Sequence, residues 1–248
     1  MALLSLRDID KSYGAVRAIQ GVSLDLHAAR VHALVGDNGA GKSTLVKIIS
    51  GALQPDHGEI LLNDVPVRFS GPFDALNQGI ATVFQDLALI PTRDVAHNMF
   101  VGKELRRWGI WVDQRRMERE ASSVLNGLRI HNMPSVRELV SRLSGGQRQA
   151  VAIGRAVHEG RSLLVLDEPT AALGVRESHQ VLSLIDRLRD QGMSVLVVSH
   201  NLAHVFRVSD QIIVMHGGRI AGIRDKAQTD QEEIVRLITG VEQSLGVV

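Results

Sequence analysis

The sequence predicts an α/β fold in which a largely parallel sheet forms the core, antiparallel strands flank it and a helical segment is inserted. Three observations predict it. A strand, a glycine loop and a helix follow one another across residues 31–50. Strand-length apolar runs recur at 162–167 and 194–199, each ending in polar residues. The stretch from about 90 to 158 has helical periodicity and no convincing strand between Phe84 and Leu163.

Strands are expected near residues 3–8, 22–26, 30–35, 59–67, 80–84, 162–167, 194–199, 210–215 and 218–223. Leu45, Ile48 and Ile49 give 43–50 helical spacing, and further helical patterns run from Asp94 to Val101 and from Asp113 to Leu128. His216-Gly217-Gly218-Arg219, between two apolar runs, predicts a tight hairpin, and Thr229-x-x-Glu232 predicts a capping box opening the last helix. No internal repeat, low-complexity tract or long linker is visible.

Composition narrows the function classes. With 28 basic against 27 acidic residues, the net charge of +1 gives no electrostatic case for a nucleic-acid partner. Arg106-Arg107 and Arg115-Arg116 alternate with Glu104, Asp113, Glu118 and Glu120, a pattern expected of a solvated face. The absence of cysteine removes disulfides, thiolate metal sites and thiol nucleophiles. Met1 to Asp8 lacks the basic and long apolar regions of a secretory signal, so export by that route is not expected. Apolar runs such as Leu163–Leu166 and Val195–Val198 fall far short of the roughly 18 residues that span a bilayer, so any membrane role is expected to pass through a partner.

Gly36-Asp37-Asn38-Gly39-Ala40-Gly41-Lys42-Ser43-Thr44 fits the pattern G-x-x-x-x-G-K-[ST] and lies between a strand and a helix, where that pattern works. Glycines let successive N–H groups converge on one point, and the helix N-terminus adds partial positive charge toward an anion. Lys42 would pair with β and γ phosphates and Ser43 would offer its hydroxyl to Mg²⁺. The plainer alternative is a glycine turn before an ordinary helix.

The strand Ser162–Leu166 ends in Asp167 and Glu168, where a parallel sheet delivers side chains to its carboxyl edge. Asp167 is a candidate Mg²⁺ ligand and Glu168 a candidate base for water attacking a γ-phosphate. The run Met193–Ser199 brings His200 toward the same edge. Gln85, after the strand 80–84, could reach the metal or the water through its amide. Tyr13 could stack on adenine or be a surface tyrosine. His200 and His204 have i, i+4 spacing without the H-E-x-x-H pattern of a zinc site.

Leu143-Ser144-Gly145-Gly146-Gln147 opens a helix whose Ala150, Ile153, Gly154 and Val157 continue at i, i+3, i+4, i+7. Two glycines cost helix stability, so their presence points to an anion at the N-terminus, formed by Ser144, Gly145, Gly146 and Gln147. Because this helix lies in the inserted segment, a second subunit could bring it to the phosphate loop.

From about Leu4 to Gly240 the chain resembles the ATP-binding cassette of ABC transporters. The resemblance implies a RecA-like phosphate-loop core with an antiparallel β subdomain and an inserted α-helical subdomain. The chain would then be one nucleotide-binding domain, 1–248, with its core in about 1–89 and 159–248 and the helical subdomain in 90–158. Gly36–Thr44 becomes the Walker A motif, Ser162–Glu168 Walker B and Leu143–Gln147 the family signature. Gln85 becomes the Q-loop glutamine, His200 the switch histidine and Tyr13 the adenine-stacking aromatic. The resemblance also implies ATP as substrate with Mg²⁺, a homodimer whose signatures cap each other's Walker A, and a membrane-spanning permease docked on the helical insertion and the segment after Gln85. It places the chain peripherally on the cytoplasmic face of the membrane.

Within that family, Asn98-Met99-Phe100-Val101-Gly102-Lys103-Glu104 and Asp167-Glu168-Pro169-Thr170-Ala171-Ala172-Leu173-Gly174-Val175 resemble monosaccharide importers of the fructose and ribose type, which work with a sugar-binding protein. Many of those carry two fused cassettes, whereas this chain has one with every nucleotide motif intact. Gly174 departs from the aspartate found there in many cassettes. A cassette for another solute, or a nucleotide switch unconnected with transport, is the alternative; a phosphate-loop kinase would have no use for Leu143–Gln147.

Overall fold

A computed structural model describes residues 2–130, 133–158 and 161–241. Strands β1 (Ala2–Tyr13), β2 (Val16–His27), β4 (His57–Leu62) and β5 (Val65–Val67) form an antiparallel sheet in the order β2-β1-β4-β5. The larger sheet joins β3 (Val31–Gly36), β6 (Ile80–Val83), β9 (Leu163–Asp167), β10 (Ser194–Val198), β11 (Gln211–His216) and β12 (Arg219–Asp225) in the order β12-β11-β3-β10-β9-β6. All its pairs are parallel except β11 with β12.

β3 is buried along its whole length, as a central parallel strand must be, and it alternates between layers. Leu34 faces the core shared with the antiparallel sheet and with Leu45, Ile48 and Ile49 of α1 (Lys42–Ile49). Ala33 and Val35 face α7 (Leu202–Val208) and α8 (Gln231–Thr239). Beside them, α6 (Val175–Asp190) lays Val181, Leu182, Ile185 and Leu188 over Leu164, Leu166, Val195 and Val197. The sheet is thus covered on both faces.

The remaining elements are α2 (Pro72–Asn77), α3 (Val95–Met99), α4 (Gln114–Gly127) and α5 (Gly145–Val157), with the two-residue strands β7 (Arg106–Arg107) and β8 (Trp111–Val112) between α3 and α4. Met99, Met117, Ala121, Leu125 and Val140 form a small core of α3 and α4, closed by Val151 of α5. The other side of α5 sends Ala152 and Ile153 into the core under α6. α5 therefore ties the helical region to the sheet, joined by Leu128 just after α4.

Several expectations need correction. The strand expected at 59–67 is a hairpin, because Asn63 and Asp64 take φ of +50° and +63° and fold β5 back on β4. β1 and β2 run well beyond 3–8 and 22–26, their polar ends held by each other and by a Lys11–Asp56 ion pair at 2.5 Å. The segment between Phe84 and Leu163 does hold strands, the short β7–β8 pair. The last helix is capped by Asp230, which accepts the N–H of Glu233 at 2.8 Å, while Thr229 donates its hydroxyl to the Glu233 carboxylate at 2.6 Å. Gly217 and Gly218 make the hairpin between β11 and β12 as expected, with φ of +54° and +79°.

Candidate nucleotide site

β3 carries the chain to the carboxyl edge of the sheet, where Gly36 to Gly41 turn it into α1. Gly41 takes φ +101°, and a Cβ there would stand 2.6 Å from the carbonyl oxygen of Ala18 in β2. A Cβ on Gly36 would collide with the carbonyl of Met215 in β11. Only glycine lets the loop pass between these two strands. Asp37, Asn38 and Gly39 stay exposed, and the loop is closed from within by Ala40 N–H to the Asp37 carbonyl at 3.1 Å.

No side chain caps α1. α2 and α6 also begin at glycines without a side-chain cap, whereas α3, α4, α5, α7 and α8 are capped by Asp94, Asp113, Ser144, Asn201 and Asp230. Preceded by the exposed glycine loop, the N-terminus under Lys42, Ser43 and Thr44 is suited to an external anion. Lys42 folds back over the loop, its Nζ donating to the carbonyls of Gly36 at 2.8 Å and Asp37 at 2.9 Å. Burial lowers its pKa, and the negative charges of Glu168, Asp37 and Asp167 oppose that shift.

Register brings the other strand ends level with the loop. Val198 of β10 pairs with Leu34 on one side and with Asp167 on the other. Beyond β9, Glu168 adopts φ +50°, rare for a residue with a side chain, and donates its N–H to the Val198 carbonyl at 2.9 Å. One Glu168 carboxylate oxygen, Oε1, lies 2.8 Å from Nδ1 of His200. Glu168 is largely covered, at 16% side-chain exposure, whereas His200 is 73% exposed, so the carboxylate anchors a ring that faces outward. Asp167 has a raised pKa, first from burial and then from the adjacent Glu168 charge, with Lys42 and Lys47 opposing.

The structure thus brings Lys42, Asp167, Glu168 and His200 to one edge. His204 goes elsewhere, its Nδ1 within 3.0 Å of the Thr170 hydroxyl. Gln85 is exposed two residues beyond Val83, which pairs with Leu166, and so lies at the same edge on the neighbouring strand. Tyr13, 49% exposed, ends β1 opposite Val16; Ala18 and Ile19 of the returning strand β2 pack on Gly41.

Ser144, Gly145, Gly146 and Gln147 form a separate cluster. Ser144 and Gln147 make a capping box, with Ser144 N–H to Gln147 Oε1 at 2.8 Å and Gln147 N–H to Ser144 Oγ at 3.4 Å. The glycines let α6 approach: a Cβ on Gly145 would be 2.6 Å from the Leu173 side chain, and one on Gly146 3.1 Å from Glu177 Cβ. Glu177 reaches across both helix starts, accepting the Gly174 N–H at 3.4 Å, and hydrogen bonds from Ser144 and from the Gly174 and Gly146 backbone lower its pKa. The sequence reading missed Glu177; its signal was an acidic residue three positions after Gly174. Gly174 itself has an ordinary φ of −67° and open space where a Cβ would stand, so its identity is not forced by packing.

The sequence profile of the ABC transporter family matches residues 19–171, which holds the phosphate loop, Gln85, the Ser144 cluster and both strand-end carboxylates. The chain belongs to the ABC transporter family. This cassette is 44% identical to the xylose/arabinose import ATP-binding protein XylG of Sulfolobus acidocaldarius, over 96% of this chain and 94% of that protein. It is 41% identical to the fructose import ATP-binding protein FrcA of Rhizobium meliloti, over 97% and 95%. A ribose import ATP-binding protein, RbsA of Yersinia pestis, matches at 42% identity over 96% of this chain but only 46% of its own length. Among solved structures, a nucleotide-free ATP-binding cassette from an ABC transporter superposes with TM-score 0.82 at 26% identity, covering 96% of each chain. An ATP-binding cassette in its ADP conformation superposes with TM-score 0.80 at 25% identity over the full length of both.

Proposed function

We propose that this cassette is the ATP-hydrolysing subunit of a monosaccharide importer, working as a homodimer beneath a membrane-spanning permease. The observation that carries the reading is the contact of Glu168 with His200 at the sheet edge that also presents Lys42 and the uncapped start of α1. Xylose/arabinose, fructose and ribose import in the relatives' names support the sugar class.

In this reading Gly36 to Thr44 cradle the phosphates through N–H groups, and Lys42 leaves the loop carbonyls to pair with the β and γ phosphates. Ser43, Asp167 and Gln85 offer hard oxygen donors of the kind magnesium takes, and the nearby charge of Glu168 that raises the Asp167 pKa favours a cation there. Magnesium, when bound with the nucleotide, would neutralise charge on the transferring phosphoryl group. Glu168 orients the attacking water and accepts its proton, and His200, held by that carboxylate, faces the γ-phosphate. Tyr13 stacks on the adenine. Ser144, Gly145, Gly146 and Gln147 close over the nucleotide held by the second copy, so that each copy supplies the phosphate-loop half of one site and the signature half of the other.

No helix among the described residues is long and apolar enough to cross a membrane. In the proposal the cassette sits peripherally on the cytoplasmic face, held by the permease on its helical subdomain (about 90–158) and the segment after Gln85. A sugar-binding protein delivers the ligand from the other side. Deleting the gene and measuring uptake of labelled pentoses, hexoses and polyols tests this. Loss of one sugar, restored by the intact chain and not by Glu168→Gln, is expected; uptake of every sugar unchanged by the deletion would overturn the sugar reading.

A further inference from the structure

The chain has two tryptophans, and both stand on the β7–β8 hairpin, Trp108 at 81% and Trp111 at 71% exposure. Ile110 and Val112 beside them are 74% and 51% exposed. Large apolar side chains gathered at one protruding turn mark a contact surface more than scattered ones do. The hairpin is held in shape. Trp108 and Gly109 turn with φ of +54° and +75°, Ile110 N–H reaches the Arg107 carbonyl at 3.3 Å, and Asp113 N–H reaches the Leu105 carbonyl at 2.7 Å. Leu105 roots it in the core of α3 and α4.

Basic side chains dominate the hairpin itself, while its base carries both signs: Arg116 pairs with Glu120 at 3.1 Å, and Asp94, Glu118 and Arg137 stand beside the tryptophans. Residues 103–116 hold five basic side chains, Lys103, Arg106, Arg107, Arg115 and Arg116, against Glu104 and Asp113. Asp113 is engaged in capping α4, accepting the Arg116 N–H at 3.0 Å. The Arg107 guanidinium lies 4.9 Å from the centre of the Trp108 ring. Indole rings favour the boundary between headgroups and acyl chains, and arginines favour anionic headgroups. An exposed turn that carries both indole rings and Lys103, Arg106 and Arg107 suits an anionic bilayer surface.

We propose that the β7–β8 hairpin is a lipid contact, seating Trp108, Ile110 and Trp111 at the headgroup level of an anionic bilayer. This contact goes beyond permease docking and needs no permease to form. It turns what the charge pattern alone suggested, a solvated face, into a second hold on the membrane.

Because both tryptophans lie on the hairpin, tryptophan emission of the full chain, excited at the red edge where Tyr13 does not absorb, reports on it alone. Vesicles of phosphatidylcholine with phosphatidylglycerol are expected to shift the emission to shorter wavelength, and lipids brominated high on their acyl chains to quench it. Vesicles of phosphatidylcholine alone should bind far less. Arg106→Ala with Arg107→Ala keeps both reporters and should weaken binding about thirtyfold, the share of two basic residues at an anionic surface. Trp108→Ala with Trp111→Ala should abolish co-sedimentation with vesicles while ATP hydrolysis by the purified chain persists, which separates this contact from the proposed function. Absence of shift and quenching with anionic vesicles would overturn the proposal. So would a shift seen only when the vesicles carry the permease, which would assign the hairpin to a protein partner.

Discussion

Nδ1 of His200 lies 2.8 Å from Oε1 of Glu168, joining the ends of two adjacent parallel strands at the edge that carries the phosphate loop. A covered carboxylate holding an exposed ring gives His200 a fixed direction without burying it. His200→Ala is expected to lower ATP turnover by roughly 10²-fold, the low end for loss of a positioned proton-handling group, with ATP affinity little changed. Turnover within twofold of the parent would remove His200 from the site.

Gly41 has no tolerated substitute, because its φ of +101° and the 2.6 Å approach of the Ala18 carbonyl both exclude a Cβ. Gly41→Ala is expected to cost about 1–3 kcal/mol of stability from backbone strain and to abolish ATP binding. Gly14→Ala is the control: its φ of +59° is strained but its surroundings are open, so ATP binding should survive. Thermal unfolding with and without ATP reads both effects.

Ser144 caps α5 and, with Glu177, holds the start of that helix against α6. Ser144→Ala should cost about 1 kcal/mol as a lost cap. It should lower hydrolysis at least about tenfold, by analogy with removing a donor that faces developing charge. ATP binding to the isolated chain should not change, since in the proposed dimer Ser144 would serve the nucleotide of the other copy. Weakened binding in the monomer would place Ser144 in its own site and contradict the shared arrangement.

His32 on β3 is fully buried, accepts the His27 N–H on Nε2 at 3.0 Å, and has its pKa pushed down to about 4, chiefly by burial and then by His27 and Arg30. A base whose folded pKa lies below its unfolded 6.5 stays neutral when folded. Its contribution is present above about pH 6.5 and is lost as pH falls toward 4, a loss of about 3 kcal/mol. Urea unfolding at pH 7.5, 6 and 5 should show this slope, and His32→Gln, which keeps an acceptor but does not titrate, should be flatter. Equal slopes would assign the acid sensitivity to other groups.

The site was legible where chemistry demands fixed spacing. Gly36 to Thr44 announces itself because backbone approach and phosphate charge leave few residue choices, and Asp167, Glu168 and His200 follow from apolar strands ending in polar residues. Longer-range features were not legible. The Glu177 reach to Ser144 depends on how α5 packs on α6, which no local pattern encodes. The turn at Asn63-Asp64 lies between two short apolar runs, Ile60–Leu62 and Val65–Val67, that read together as one strand, and β7–β8, with two residues each, are too short to show any period. At the last helix two adjacent cap residues competed, and Asp230 took the cap while Thr229 bonded to Glu233.

The most direct test of the account compares Mg²⁺-dependent ATP turnover and ATP affinity in the intact chain and in Glu168→Gln. The account predicts affinity retained and turnover reduced by roughly 10²- to 10⁴-fold, because the amide keeps the contact with His200 but cannot take the proton from the attacking water. Undiminished turnover in Glu168→Gln would contradict it.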